Sequence, residues 1–360
     1  MIEGFLDNDE LYCFKVGNSV EILKLIPDNS IDCVITSPPY WQQRIYEDYY
    51  GELSNVIGME SSPDEYVESL MVVIREIKRV LKPTGTFWLN IGDKFWKKCL
   101  MGMPWRVALL MQQEGWILRS DIVWDQMKGT QSCKDRFRDI YEHLFQFVKN
   151  NKYYFDADAV RIIPEKNAYE KNGEIISATG VTGKKYFAQI QNSIVLSEEE
   201  KNNALMALNK TLDEMKKGEI VDFRMTIRGE QRVYHSESKR ISGRAKELQE
   251  KGFYIVKMKK KGFLPSNIWR IVPEDTWRKD THCAVFPEEL LHIPILSTCP
   301  VAGIVLDPFS GTGSTVDAAV RLGRRGIGID LSNQYTEVAQ KRLFETIYNK
   351  QISLKLNEIL

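Results

Sequence analysis

Ile31-Asp32-Cys33-Val34-Ile35-Thr36-Ser37-Pro38-Pro39-Tyr40-Trp41 is an apolar, β-branched run closed by two prolines. It reads as a buried strand that stops abruptly, because proline fixes φ and removes a ladder donor. The second proline holds the first in extended geometry, so the chain leaves the sheet in a stiff turn. The carbonyls of Ser37 and Pro38 then lie outside any helix or ladder and point outward as acceptors. The Ser37 hydroxyl adds a third acceptor, and Tyr40 and Trp41 supply flat apolar faces. Clustered acceptors beside an aromatic plate suit a planar ring with an exocyclic amino group. Taken alone, the stretch is equally a strand followed by a Pro-Pro loop.

A second stretch at the far end of the chain is more specific. Ile304-Val305-Leu306 reads as a short buried strand, followed by Asp307-Pro308-Phe309-Ser310-Gly311-Thr312-Gly313-Ser314-Thr315. A helix follows over Val316–Leu322, then a strand Gly326–Asp330 that ends in an acid. Glycines 311 and 313 let the backbone approach a ligand at a helix start, where free N–H groups attract polar or anionic groups. An acid at the end of the next strand is placed to take both hydroxyls of a ribose. Thr315 stands near where the pyrophosphate fingerprint calls for another glycine; the second strand and its terminal Asp330 keep a nucleoside reading open while counting against NAD.

Between these ends the pattern alternates. Strands are expected at Leu11–Val16, Thr86–Asn90 and Trp116–Trp124, and helices at Ser19–Leu25, Ser62–Leu81 and Pro104–Gln113. Ser62-Pro63-Asp64-Glu65 predicts an N-cap and capping box, and Lys82-Pro83-Thr84-Gly85 a helix end. Residues 41–60 read as a loop over the site. This rhythm argues for an α/β fold with a mostly parallel sheet. It fails between Arg161 and Gly262, which hold 21 Lys and Arg against 14 Asp and Glu in a chain of zero formal net charge. One helix is expected there, Ser197–Lys217, with a Ser197…Glu200 capping box. The segment is either a solvated insert or one that contacts nucleic acid through Arg and Lys.

Hydrophobic content of 43% is ordinary for a globular protein with a full core. No apolar stretch is long enough to span a membrane and the start lacks a secretory pattern, so the expected location is cytoplasmic. Six dispersed cysteines, with no C-x-x-C pair, fit reduced thiols and neither a disulfide frame nor a metal site.

Ser37-Pro38-Pro39-Tyr40-Trp41 after one strand and Asp307-Pro308-Phe309-x-Gly311-x-Gly313 after another resemble S-adenosylmethionine-dependent DNA amino-methyltransferases. The catalytic motif precedes the cofactor motif with a basic insert between them, an order that resembles the circularly permuted beta class. Leu89-Asn90-Ile91-Gly92-Asp93, Leu118–Trp124, Tyr153–Asp156 and His282–Leu290 extend the resemblance over nearly all of the chain outside the insert. It implies a Rossmann-like methyltransferase domain made of residues 1–160 and 263–360, with a target-recognition region at 161–262.

The resemblance also implies roles. Ser37, Pro38, Pro39 and Tyr40 would form the catalytic pocket, Tyr40 stacking on a base flipped out of double-stranded DNA. Thr36, Asp307, Pro308, Phe309, Ser310, Gly311, Thr312 and Gly313 would hold S-adenosylmethionine, helped by Phe286 and Pro287, with Asp330 on its ribose. Many relatives carry Gly-Asp where this chain has Gly17-Asn18; Asn18 would contact the cofactor adenine without charge. Trp41 and Arg44, with Arg224, Arg228, Arg232, Lys239, Arg240 and Arg244 of the insert, would contact DNA. Relatives with Ser at the first motif position mostly modify cytosine N4, and those with Asp or Asn mostly adenine N6. The resemblance admits a cognate restriction endonuclease as a partner but does not require one. A DNA-binding protein with an inactive methyltransferase fold and a small-molecule methyltransferase are the competing readings.

Overall fold

The computed structural model of the chain describes residues 2–42, 56–127, 133–230, 243–273 and 286–359. In chain order the first unit contains α1 (Ile2–Asp7), β1 (Tyr12–Val16), α2 (Ser19–Leu23), β2 (Ile31–Thr36), α3 (Pro63–Val80) and β3 (Leu81–Ile91). A small hairpin of β4 (Phe95–Trp96) and β5 (Cys99–Leu100), then α4 (Met103–Gln113), β6 (Ile117–Asp125) and β7 (Tyr141–Val148), follow. The second unit holds β8 (Tyr169–Lys171), β9 (Glu174–Ile176), α5 (Gly183–Asn192), α6 (Glu198–Lys216), β10 (Ile220–Ile227), α7 (Arg244–Lys251) and β11 (Phe253–Lys259). The chain then returns to the first unit with β12 (Ile268–Arg270), α8 (Glu288–Thr298), β13 (Ile304–Asp307), α9 (Ser314–Arg321), β14 (Arg325–Asp330) and α10 (Asn333–Ile359). The units comprise residues 1–160 with 266–360, and 161–265.

The first unit is built on an eight-stranded sheet of order β1-β14-β13-β2-β3-β7-β6-β12. Every neighbouring pair is parallel except the two made by β7, which runs against β3 and β6. The fold is α/β with a mostly parallel sheet. Parallel strands are covered on both faces, which explains why β2 and β13 read as continuous apolar runs. One face packs Val34, Phe87 and Leu306 with α3 and α4; the other packs Ile35, Trp88 and Val305 with α8 and α9.

Ser62 caps α3 by accepting from the Glu65 N–H at 3.2 Å, with Pro63 in the first turn. The box is not closed as expected, because the Glu65 carboxylate takes the Ser61 hydroxyl and N–H instead. The helix also ends at Val80, and β3 begins at Leu81 and runs through Pro83, earlier than the Lys82–Gly85 stop predicted. The strand β7 was not anticipated. In the second unit the capping box of α6 is present in full: Ser197 and Glu200 exchange hydrogen bonds of 2.8 and 3.2 Å. The unit is more ordered than its sequence rhythm indicated, since α6 packs with α5 and an antiparallel β10–β11 pair around Leu208, Phe223 and Ile227. Among the described residues no helix is long and apolar enough to cross a membrane.

Candidate active site

The two motif-bearing strands are neighbours. β13 pairs with β2 in the register Val305↔Cys33 and Leu306↔Val34, so Thr36 and Asp307 end side by side at the carboxyl edge of the sheet. From β2 the chain proceeds to β3 on one side, and from β13 to β14 on the other, which makes this crevice the topological switch point where ligands enter such sheets.

Thr36 Oγ1 donates to Asp307 Oδ1 at 2.6 Å, and the Phe309 N–H donates to the same oxygen at 3.0 Å. Thr315 Oγ1 donates to Oδ2 at 2.6 Å. Asp307 is 2% exposed. Burial pushes its carboxyl up to about 6, against the pull of the Thr315, Thr36 and Phe309 donors. The carboxylate therefore braces both motifs from inside.

The loop after β13 is shaped by its glycines. Gly313, at φ +79°, sits so close to Ala339 and Phe14 that a Cβ there would lie 2.7 and 3.0 Å from them. Gly311, at φ +49°, faces open space. The Gly311 N–H donates to Asp330 Oδ2 and the Ser332 N–H to Oδ1, both at 2.8 Å, and burial raises the Asp330 carboxyl. Gly313 is the cap of α9 and offers no side-chain oxygen, so the first turn of that helix has no side-chain partner at its cap. Ser310 is buried and its N–H donates to the Ile329 carbonyl; Thr312 is half-buried. Ser19 Oγ donates to the buried Pro308 carbonyl at 2.6 Å. Pro287 caps α8 and Phe286 packs against the core below it. Asn18 departs from its expected role. Its Oδ1 accepts from the Val20 and Glu21 N–H groups as the cap of α2, so that oxygen is already engaged.

At the Ser37-Pro38-Pro39 turn the Pro39 carbonyl accepts from Tyr66 Oη at 2.9 Å. Among the described residues no hydrogen bond ends on the Pro38 carbonyl. The Tyr40 ring rests on Gly92, where a Cβ would come within 2.9 Å of Cε2. Its hydroxyl donates to Glu142 Oε2 at 2.6 Å. Because Tyr40 has one proton, the 3.2 Å contact between Ser37 Oγ and Tyr40 Oη must be donated by Ser37. Burial, then the charge of Glu142, holds the Tyr40 hydroxyl well above its ordinary range, so it remains a proton carrier.

Asn90, 1% exposed, places Nδ2 2.6 Å from Glu142 Oε2, 2.9 Å from Tyr40 Oη and 3.3 Å from Ser37 Oγ. The opposite amide orientation would set an oxygen against the carboxylate. Gln126 Nε2 donates to Glu142 Oε1 at 2.9 Å. Sequence reasoning assigned no role to Asn90, Glu142 or Gln126. Asn90 carried a signal, an amide inside the apolar run Phe87–Ile91; Glu142 carried none.

The expected DNA contacts divide. Trp41 is corrected: it is 2% exposed, lies in the core, and donates through Nε1 to the Glu60 carbonyl at 2.9 Å. Arg228 is also corrected. Its guanidinium holds Glu200 at 2.7 and 2.8 Å together with the Gln249 and Val195 carbonyls, which braces the second unit internally. Arg224 is half-exposed and pairs with Asp222 and Thr179. Arg244 is exposed at the start of α7, with its guanidinium 6.0 Å from the Tyr254 ring centre. Arg44, Arg232, Lys239 and Arg240 lie outside the described residues.

A family model described as DNA methylase, for the N6 and N4 methyltransferases, matches residues 31–341. The chain is 30% identical over 381 aligned residues to the type II methyltransferase M.SfiI of Streptomyces fimbriatus, covering 90% of this chain and 89% of that protein. It is 26% identical to the type II methyltransferase M.Cfr9I of Citrobacter freundii, over 91% of this chain and 86% of the relative. The fold is similar to that of the PvuII DNA methyltransferase, described as cytosine-N4-specific, with a TM-score of 0.56 and 18% identity over 93% of this chain and 87% of that one. With the family match spanning both motifs and the strands that carry them, the chain belongs to the N6/N4 DNA methylase family of amino-methyltransferases.

Proposed function

We propose that this DNA amino-methyltransferase is specific for cytosine N4 and acts at a defined site in double-stranded DNA. The observation that carries the reading is Ser37: a hydroxyl whose own proton is directed toward Tyr40, beside a Pro38 carbonyl with no hydrogen bond among the described residues. These are the two acceptors that an amino group entering the turn would meet. Ser at this position supports cytosine over adenine by the family association.

The methyl donor is S-adenosylmethionine, which when bound supplies a methyl group on a sulfonium. The residues present fit it. Gly311 leaves open space where a Cβ would stand, the cap of α9 is free of side-chain oxygen, and Asp330 closes the adjacent strand. Asp330 would accept from the ribose hydroxyls with lone pairs left over from its two backbone bonds, and Phe286 and Pro287 would flank the methionine end.

An aromatic amine is a poor nucleophile because its lone pair is delocalised into the ring. Ser37 Oγ and the Pro38 carbonyl accept its two N–H bonds, which favours a pyramidal nitrogen and frees that lone pair. The relay Ser37 to Tyr40 to Glu142 commits the Ser37 proton to Tyr40 and leaves the lone pair not taken by Asn90 for the amine, and Asn90 and Gln126 fix the carboxylate at its end. The chain thus contributes position and preorganised dipoles. A duplex base reaches the turn only after flipping. The second unit, residues 161–265, serves as the target-recognition region, supported by its basic surplus. The type II naming of the relatives is what supports a cognate restriction endonuclease as a partner.

The test is methyl transfer from labelled S-adenosylmethionine to unmodified duplex DNA, with calorimetric titration of the donor. Wild type transfers label; Ser37→Ala loses transfer and keeps donor binding. Transfer by Ser37→Ala at the wild-type rate would overturn the role given to the turn.

A further inference from the structure

The hairpin β4–β5 and the segment 133–139 form an exposed surface at the same sheet edge as the catalytic turn. The hairpin follows the carboxyl end of β3, and the segment follows β6 and leads into antiparallel β7. Its base is anchored: Asp93 Oδ1 accepts from the Lys94 and Met103 N–H groups, and the Met101 N–H donates to the Lys94 carbonyl. At the tip, Lys97 and Lys98 occupy the left-handed region at φ +48° and +65°, the two central positions of a tight turn that favours Asn-Gly. Two lysines kept in that conformation present their ammonium groups to solvent at a conformational cost.

The surface is continuous with the active site. Trp41, next in sequence to Tyr40, packs its ring 5.6 Å from Trp96, which is 40% exposed. The Arg136 guanidinium lies 3.6 Å from the centre of the Phe95 ring and ties the segment to the hairpin. Phe137 follows, 97% exposed, between two arginines. Residues 93–100 and 133–139 together carry six Lys and Arg against three Asp. A positive surface with projecting rings, beside a turn that needs an extruded base, fits a polyanion with flat faces.

We propose that this surface, on the catalytic unit itself, grips duplex DNA next to the flipped nucleotide. Lys97 and Lys98 bind phosphates, and Phe137 stacks on the bases left beside the vacated position. The proposal rests on the DNA-methyltransferase reading and adds a contact outside the recognition unit. It accounts for an exposed phenylalanine that has no role in the core, since an aromatic wedge supports a base step that flipping has unstacked.

The experiment compares wild type, the double variant Lys97→Ala/Lys98→Ala, Phe137→Ala and Phe137→Trp. It measures binding of a short mixed-sequence duplex over a salt series, methyl transfer to unmodified bacterial DNA, and calorimetric binding of S-adenosylmethionine. The double variant should lower the slope of log affinity against log salt by about 1.8, for two phosphates released. Phe137→Ala should keep that slope, lose about tenfold or more in methyl transfer at saturating DNA, and recover with Phe137→Trp. All variants should bind the donor as wild type does. Active wild type with variants that match it in slope and transfer would overturn this inference alone. Wild type that transfers no methyl group to DNA would overturn the functional reading on which it rests.

Discussion

Thr36 Oγ1 donates to Asp307 Oδ1 at 2.6 Å, so the last residue of the strand leading to Ser37 is tied to the first residue of the glycine-loop motif. Residues 271 positions apart in sequence thereby fix the spacing of the Ser37-Pro38-Pro39 turn and the glycine loop. Because Asp307 is buried, this contact also makes the register of two motifs sensitive to proton binding.

Asp307 has its carboxyl raised to about 6 from an ordinary value near 3.8. A raised folded value means the folded state binds the proton more tightly, so this group's contribution is full below about pH 4 and is lost as pH rises through 6. Relative to Asp307→Asn, wild type should lose stability over that window, on the order of 3 kcal/mol, and run parallel above pH 7. Thermal unfolding of both proteins from pH 4 to 8 measures it; a constant difference would remove Asp307 as the titrating group.

Glu142→Gln should keep the volume of the side chain but weaken the pull on the Tyr40 proton. The expected result is a fall in kcat of about tenfold, one charge-assisted hydrogen bond lost, with donor binding unchanged. Glu142→Ala should also cost about 1–3 kcal/mol of stability, because Asn90 Nδ2 and Tyr40 Oη lose a buried acceptor. Steady-state kinetics at saturating donor, paired with urea unfolding, separate the two effects.

How much of this was legible in the sequence depended on range. Caps were legible because Ser62 and Ser197 act within three residues of themselves. The switch point was legible because both motifs follow apolar runs that end sharply. Glu142 was not, since only the antiparallel register Ile91↔His143 carries it under Tyr40. Trp41 was misread as a surface plate because its burial depends on the chain returning at Glu60. Arg228 looked like any basic residue of the insert until Glu200, itself held by the α6 capping box, claimed it.

Asp330→Ala should weaken S-adenosylmethionine binding roughly ten- to hundredfold, from loss of charge-assisted acceptors worth about 1.5–3 kcal/mol. The Gly311 N–H loses its partner as well, so part of the effect is a looser loop. Isothermal titration gives the dissociation constant directly; an unchanged value would remove Asp330 from the donor site.

Arg342→Met should destabilise the first unit by about 3–5 kcal/mol, because it leaves the fully buried Asp317 carboxylate without one of its two guanidinium partners. Thr346 and Arg321 still donate to Asp317, which sets the lower end of the range. The midpoint of chemical unfolding reports it, and a shift equal to that of a surface substitution would contradict the buried pair.

Cytosine-N4 transfer at the Ser37 turn is decided by mass spectrometry of nucleosides from a host expressing the protein, compared with the same host expressing Ser37→Ala. N4-methyldeoxycytidine should be present in the first DNA and absent from the second. N6-methyldeoxyadenosine in place of the cytosine product, or equal methylation with Ser37→Ala, would contradict it.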